Sequence, residues 1–409
     1  MDRNESDEIT VVGVGADGWA GLGGAGRAAL AAAHVVFGSD RQLALLPADV
    51  RAERVAWPAP LLPALPGLLA ARPGPARCVL ASGDPMFHGI GVTLVRLLGA
   101  QRVRVLPHPS SVSLAAARLG WPLAEVDVLS LVTAPVAELH PLVHPGRRIL
   151  VLSRDASTPA QVAQLLTARG YGDSTVTVLG ALGGPAETVV SAPAADFAAT
   201  VDPLNVVPLN VVAIACAGAG RAVPLGPGLS DDLYDSDGQL TKREVRAITL
   251  AMLGPQPGEL LWDVGAGSGS IAIEWMRSHR ACRAIAIESH PERATRIAGN
   301  AAALGVPALR IVQATAPDAL AGLPTPAAVF IGGGLTRNGL VEACLAALPS
   351  GARLVANAVT VESEAVLAGL HAKLGGELTR VAVNRAAPVG GFTGWRPMLP
   401  VTIWALVTP

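Results

Sequence analysis

Leu260–Val264 is a short apolar run that breaks into Asp263-Val264-Gly265-Ala266-Gly267-Ser268-Gly269 and resumes at helical spacing from Ile271. Glycines at such a handover permit a tight turn with φ above zero, and the missing Cβ lets a ligand lie against the backbone. A dinucleotide fingerprint requires G-x-G-x-x-G, and counted from Gly265 the last position is Ser270, so the pattern fails. What stands here is Asp263 two residues before the first glycine, and a second acid, Glu288, ending the next apolar run. Two carboxylates with no basic residue in the turn make a poor seat for pyrophosphate. They suit a cofactor carrying a sulfonium cation, an amino-acid head and a ribose diol. A carboxylate ending the second strand can accept from both ribose hydroxyls, while Asp263 orients the turn or meets the head group.

Upstream, Thr241 and Glu244 have the T-x-x-E spacing of a capping box. Lys242 and Arg243 then fall in the first helical turn, where each positive charge opposes the helix dipole by about 0.3–1 kcal/mol. A polycarboxylate ligand, held by Lys242, Arg243 and Arg246, would reward that placement, and so would the acidic stretch 231–237. The first half of the chain has its own turn, Val12-Gly13-Val14-Gly15-Ala16-Asp17-Gly18, which by itself fixes no ligand. More telling is Ser82-Gly83-Asp84-Pro85-Met86-Phe87-His88-Gly89, where stiff Pro and pliant Gly shape a loop after an apolar run. Pro107-His108-Pro109-Ser110-Ser111 does the same after the next run, its serines being helix N-cap candidates. Loops on neighbouring strands of an open α/β sheet share the edge at which such sheets bind ligands. His88 reads either as a base or as a structural member of its loop.

These residues need rigid elements beneath them. Strands are predicted over Ile9–Val14, His34–Phe37, Arg77–Ala81, Val103–Pro107, Val126–Leu131, Ile149–Leu152, Thr175–Leu179 and Val211–Ala215. Helices fall between them, such as Gly26–Ala33, Ser111–Leu119 and Pro159–Arg169. A stretch rich in Pro, Gly and Asp, residues 221–240, reads as a linker. Beyond it the alternation resumes: five apolar runs from Leu260 to Asn357, separated by helices. Leu378–Val383 and Val401–Val407 then follow with no helix between them and should pair antiparallel at a sheet edge. Strand–helix alternation throughout means α/β architecture with sheets covered on both faces.

The 409 residues suffice for two or three domains, and 51% hydrophobic against 15% charged residues excludes disorder. A net charge of −1 leaves no nucleic-acid footprint. The four cysteines are dispersed without a CxxC pair, so neither a metal site nor a disulfide framework is expected. The acidic start lacks an apolar signal core, and the long uncharged stretches contain Pro, Asn or Gly. No membrane segment is expected, and the chain reads as cytoplasmic.

The motifs carry a family resemblance. Residues 9–216 resemble the tetrapyrrole methylases through the glycine-rich opening, SGDPMFHG, the serine pair, LGGPAETV and LNVVAI. Residues 229–409 resemble decarboxylating precorrin methyltransferases, through GQLTKREVR, DVGAGSGSIAIEW, TAPDAL, FIGGG and NAVT. The resemblance implies a two-lobed class III methyltransferase domain over 8–220 and a class I Rossmann-like domain with a seven-stranded sheet over 241–409. It implies one S-adenosylmethionine per domain, an anionic precorrin substrate methylated at two meso carbons (5 and 15), and decarboxylation of a ring acetate in corrin synthesis. Assembly as a homo-oligomer is also expected. Cofactor contacts implied in the first domain are Gly83, Asp84, Pro85, Phe87, Ser110 and Ser111. In the second they are Thr241, Gly265, Ala266, Gly267, Ser268, Gly269, Glu288 and Ala316. The chain departs from the family in having Ala314-Thr315 where Gly-Asp is usual, and Val132-Thr133-Ala134 where His-Gly-Arg is usual. Rival readings are a two-domain dehydrogenase, a ligand-binding scaffold, and a methyltransferase of another small molecule with an inactive first domain.

Overall fold

The computed structural model describes residues 8–409, and the acidic start read above lies outside them but for Glu8. Two compact units divide the chain between Arg221 and Ala222, with the short segment Ala137–Pro141 grouped with the second.

The first unit contains two five-stranded sheets. One is built from β1 (Ile9–Val14), β2 (Val35–Gly38), β3 (Glu53–Ala56), β4 (Arg77–Ser82) and β5 (Val103–Leu106), in the order β3-β2-β4-β1-β5. All its pairings are parallel. Alternate residues of β1 enter different cores, Ile9 and Val11 on one face, Val12 and Val14 on the other. A strand buried on both faces reads as an unbroken apolar run, which is how ITVVGV reads. The other sheet holds β6 (Asp127–Ser130), β7 (Arg148–Leu152), β8 (Thr175–Gly180), β9 (Thr188–Pro193) and β10 (Asn210–Ala215), ordered β6-β7-β10-β8-β9. Only β6 and β7 run parallel there. β3 and β9 were not expected. Both are edge strands and mostly exposed, so no apolar alternation marks them. Helix Leu61–Ala70 is likewise hidden, with Pro66 inside it.

The second unit is organised on a seven-stranded sheet of order β13-β12-β11-β14-β15-β19-β16. Its parallel part is β11 (Leu260–Val264), β12 (Arg283–Glu288), β13 (Arg310–Gln313), β14 (Ala328–Ile331) and β15 (Arg353–Ala358). β16 (Glu377–Val381) and β19 (Val401–Val407) pair antiparallel as expected, with β19 inserted beside β15. Between them the chain makes an additional ribbon, β17 (Asn384–Val389) and β18 (Phe392–Pro397), which is largely exposed and has no periodic apolar face. Both sheet faces are covered, Leu261, Ala286 and Phe330 facing one core and Trp262, Ile287 and Ile331 the other. Trp275 and Trp404 are fully buried in these layers. No helix among the described residues is long and apolar enough to cross a membrane.

The stretch 221–240, expected to be a linker, is from Ala222 onward part of the second unit. Val223, Leu229 and Tyr234 are buried in its core, and its polar residues are tied down as well. Glu274, 2% exposed, accepts from the backbone N–H of Gly228 (2.6 Å) and Leu229 (3.0 Å), from the Tyr234 hydroxyl (2.9 Å) and from the Arg246 guanidinium. Asn300 grips both the N–H and the carbonyl of Asp235 at 2.9 Å. Asp237 pairs with Arg293 and Arg296, and hydrogen bonding from Arg293 draws its carboxyl down to about 2. Composition alone misleads here because Gly, Pro and Asp also build ordered straps when partners wait elsewhere in the chain.

Candidate functional site

In the first unit the loops after β1, β4 and β5 meet at the C-terminal edge of the parallel sheet. β4 and β5 are not neighbours, as their loops had suggested; β1 lies between them. Gly13 stands where the three loops close in, since a Cβ there would lie 2.3 Å from the Gly83 carbonyl oxygen and 2.8 Å from the His108 nitrogen. Gly83, at φ +60°, donates its N–H to the Val14 carbonyl at 2.9 Å. Asp84 shapes the next turn by accepting from the N–H of Met86 at 2.8 Å. Pro85 is buried, with Gly89 and Gly91 packed on its carbonyl, while Phe87 is exposed and meets His88 edge-on. Ser110 caps helix Ser111–Leu119 by accepting from the N–H of Ser113 at 3.1 Å. Where the family's basic residue is missing, Arg154 donates to the carbonyls of Val132 (3.3 Å) and Ala134 (3.0 Å). The structure therefore brings Gly83, Asp84, Phe87, Ser110 and Ser111 to one edge, and turns Pro85 inward.

The second unit has a cavity of about 700 Å³ at the C-terminal edge of its parallel strands. That size suits a cofactor and part of a second reactant. Gly265, Gly267 and Gly269 all have positive φ. At Gly265 the need is steric too, because a Cβ would lie 2.8 Å from the backbone nitrogen of Gly333. The turn folds over the end of β12, with the N–H groups of Gly265 (2.9 Å) and Ala266 (3.2 Å) donating to the Ile287 carbonyl. Glu288, 4% exposed, accepts from the N–H of Gly267 through one oxygen and of His290 through the other, both at 2.9 Å. Each carboxylate oxygen keeps a further lone pair.

Thr241, Lys242, Gly265, Ala266, Gly267, Glu288 and Ala316 all stand in the cavity wall, as do Ala314 and Thr315. Ser268 and Gly269, expected beside them, do not. Ser268 is 3% exposed and its carbonyl accepts from the Asn300 side chain at 3.0 Å, so the second half of the turn faces the protein. Asp263 is also internal, accepting from the N–H of Ala272 at 3.0 Å; burial pushes its carboxyl up to about 7. It holds the start of helix Ser270–Ser278 and lies outside the cavity wall.

The capping box is absent. Lys242 is the N-cap residue of helix Arg243–Leu253 and its side chain makes no cap, while Asp231 accepts from the N–H of Arg243 at 3.0 Å. A carboxylate delivered from the strap replaces the local cap. Glu244 instead pairs with Arg385 at 2.6 Å. Arg246, a candidate for substrate, is 0% exposed; its guanidinium binds Glu274, Asp231 and the carbonyls of Thr241 and Leu229. Arg243 is outside the cavity wall, and of the three basic candidates Lys242 alone lines it. The strap residues Gly238, Gln239 and Leu240 line the cavity as well, with Asn357, Met398 and Leu399 from the far side. None of these six was expected as a contact. The GQLTKREVR and NAVT segments, which hold Gly238, Gln239, Leu240 and Asn357, were noted for their resemblance alone, and nothing local marks Met398 and Leu399.

Comparison with known proteins places these features. Residues 8–198 match the tetrapyrrole (corrin/porphyrin) methylases, and residues 232–408 match the precorrin methyltransferase domain. Over 398 residues the chain is 50% identical to the precorrin-6Y C(5,15)-methyltransferase (decarboxylating) of a Sinorhizobium species, covering 97% of this chain and 95% of that protein. The chain belongs to this family. The enzyme of the same description from Mycobacterium tuberculosis is also 50% identical, over 97% of this chain and 99% of its own length. A crystal structure of the C-terminal domain of precorrin-6Y C5,15-methyltransferase from Rhodobacter capsulatus is 46% identical, covering 44% of this chain and 97% of that one with a TM-score of 0.42.

Proposed function

We propose that this S-adenosylmethionine-dependent methyltransferase acts on precorrin-6Y, methylating C5 and C15 and releasing CO2 from a ring acetate, with one cofactor seated in each unit. The full-length relatives support the overall reaction. The observation that carries the cofactor seat is Glu288, a nearly buried carboxylate whose two oxygens tie the glycine turn to the end of β12 at the cavity wall. The residues fit the cofactor: Glu288 would accept from the ribose hydroxyls, the glycine backbone at Gly265 and Gly267 would hold the methionine arm, and Ala316 would meet the base. In the first unit the seat is the edge formed by Gly83, Asp84, Phe87, Ser110 and Ser111.

When bound, the sulfonium supplies a methyl carbon that is already electrophilic, so the protein's work is orientation and exclusion of water. Lys242 contributes the one cavity-wall ammonium, and among the described residues no carboxylate pairs with it, leaving it for a substrate carboxylate. Arg337 and Arg293 also face the cavity, bonded to the Ala316 carbonyl and to Asp237.

The test is calorimetry with S-adenosylhomocysteine on the full chain. Wild type should bind it at two sites. Glu288→Ala should weaken one of them by roughly tenfold to a hundredfold, the loss of charge-assisted hydrogen bonds, and leave the other unchanged. Two unchanged sites would remove Glu288 from the seat.

A further inference from the structure

We infer that Arg154 is a substrate-binding residue of the first unit, its guanidinium holding a carboxylate of the tetrapyrrole. The inference rests on the anionic substrate proposed above. Arg154 is exposed and stands just after β7. Its Nε donates to the Val132 carbonyl at 3.3 Å and its Nη2 to the Ala134 carbonyl at 3.0 Å. Those bonds use two of the five N–H groups of a guanidinium and leave three. Residues 128–137 carry no charged side chain, so the arginine brings a charge to a loop that has none. Among the described residues no carboxylate ion-pairs with it. Its neighbour Asp155 is turned onto Ser157, accepting from the N–H at 2.8 Å and the hydroxyl at 2.6 Å, and the Arg154 charge is a lesser influence on that carboxylate.

The residue is fixed at its backbone as well as at its tip. The Arg154 N–H donates to the Thr158 hydroxyl at 3.1 Å, and Thr158 is 4% exposed. Ser153, just before it, donates its hydroxyl to buried Asn210 at 2.6 Å, and Asn210 in turn donates to the Val207 carbonyl at 2.9 Å. Ordering an exposed arginine costs side-chain entropy. A guanidinium already ordered has less to lose when a carboxylate arrives, and its remaining donors match the paired oxygens of that group.

Arg154 stands on an edge that joins the loops of the first sheet. β7 runs parallel to β6 and antiparallel to β10, which is antiparallel to β8, so β6, β7 and β8 end on the same side of their sheet. The loop after β8 makes the joint. A Cβ on Gly184 would lie 2.8 Å from Ala16, in the turn after β1, and Glu187 accepts from Arg118 at 2.6 Å. The turn after β1 is the one that closes against Gly83 and His108. Arg154 is two strands from β8, across β10, or ~10 Å at ordinary strand spacing. A tetrapyrrole carries its carboxylates round the rim of a wide ring, so a ring at the joint can rest one of them on Arg154.

Arg154→Met and Arg154→Lys in the full chain test this, with product mass followed over time from precorrin-6Y and S-adenosylmethionine. Arg154→Met should lower kcat/KM for the doubly methylated product about tenfold, the scale for losing one hydrogen bond to a charged group, with kcat little changed at saturating substrate. Arg154→Lys keeps the charge without the paired donors and should recover part of the loss. Salt separates a charge contact from a brace of the 132–134 loop: wild-type kcat/KM should fall with ionic strength more steeply than that of Arg154→Met. S-adenosylhomocysteine should bind all three proteins alike, which also reports that the variants fold. Undiminished kcat/KM in Arg154→Met would overturn the inference, as would a loss that keeps the wild-type salt dependence or that Arg154→Lys does not relieve. Weakened S-adenosylhomocysteine binding in Arg154→Met would reassign the residue to the cofactor. If wild type itself makes no doubly methylated product from precorrin-6Y, the proposed function fails first, independently of Arg154.

Discussion

The two units solve the same problem, a ligand edge on a parallel sheet, with different materials. In the first, the edge is backbone against backbone: Gly13 lies under the Gly83 carbonyl and the His108 nitrogen, and Gly83 donates to Val14. Its surface consists of loops alone. In the second, the glycine turn is one wall of a cavity, and another wall is the 238–242 end of a strap fastened through buried charge at Glu274 and Arg246. The first edge depends on the absence of side chains, the second on a buried ion pair. Substitutions should therefore fail in different ways, local in the first unit and cooperative in the second.

Glu274→Ala should have the largest effect. It removes the partner of fully buried Arg246 and the acceptor for the Gly228 and Leu229 N–H groups. Breaking one side of a buried ion pair typically costs about 3–5 kcal/mol. Urea unfolding should show the second unit's transition moved to much lower denaturant, with the first unit's transition in place. A unit that tolerates the change would mean the strap is not held by charge.

Gly13→Ala should be milder and confined to the first unit. A methyl group 2.3 Å from the Gly83 oxygen must displace the Ser82–Gly89 loop, at about 1–3 kcal/mol for overpacking. Calorimetry should then lose the first unit's S-adenosylhomocysteine site and keep the second unit's. Loss of both sites would make the seats interdependent.

The smallest effect is graded with pH. Burial holds the Asp263 carboxyl at about 7 against an ordinary 3.8. The folded chain thus keeps a proton that the unfolded chain gives up. The contribution of Asp263 to the second unit's stability should be full below about pH 4, fall as pH climbs to 7, and level off above. The slope is at most about 1.4 kcal/mol per pH unit. Asp237 and Glu244, held low by arginine partners, act with the opposite sign and at lower pH. Asp263→Asn should flatten the 4–7 slope in thermal melts; a slope that survives would place its origin elsewhere.

Much of this was legible beforehand. Both-face burial makes β1, β4, β11, β12 and β14 continuous apolar runs, and a strand-to-helix turn built on Gly265–Gly269 has few alternatives. Glu288 could be found because it is the acid that ends the strand following the glycine turn. The misreadings share one cause. Ser268 and Gly269 turn inward because Asn300 takes the Ser268 carbonyl, and Thr241 is no cap because Asp231 reaches the helix first. In each case a distant side chain outcompeted a local pattern.

From residue order alone came what depends on near neighbours: the alternation of strands and helices, the glycine turns, and the acid that closes β12. Only the folded chain could decide which charges become ligands and which become fasteners. That choice depends on burial and on partners dozens of residues away, so Arg246 went to Glu274 while Lys242, four residues earlier, was left facing the cavity.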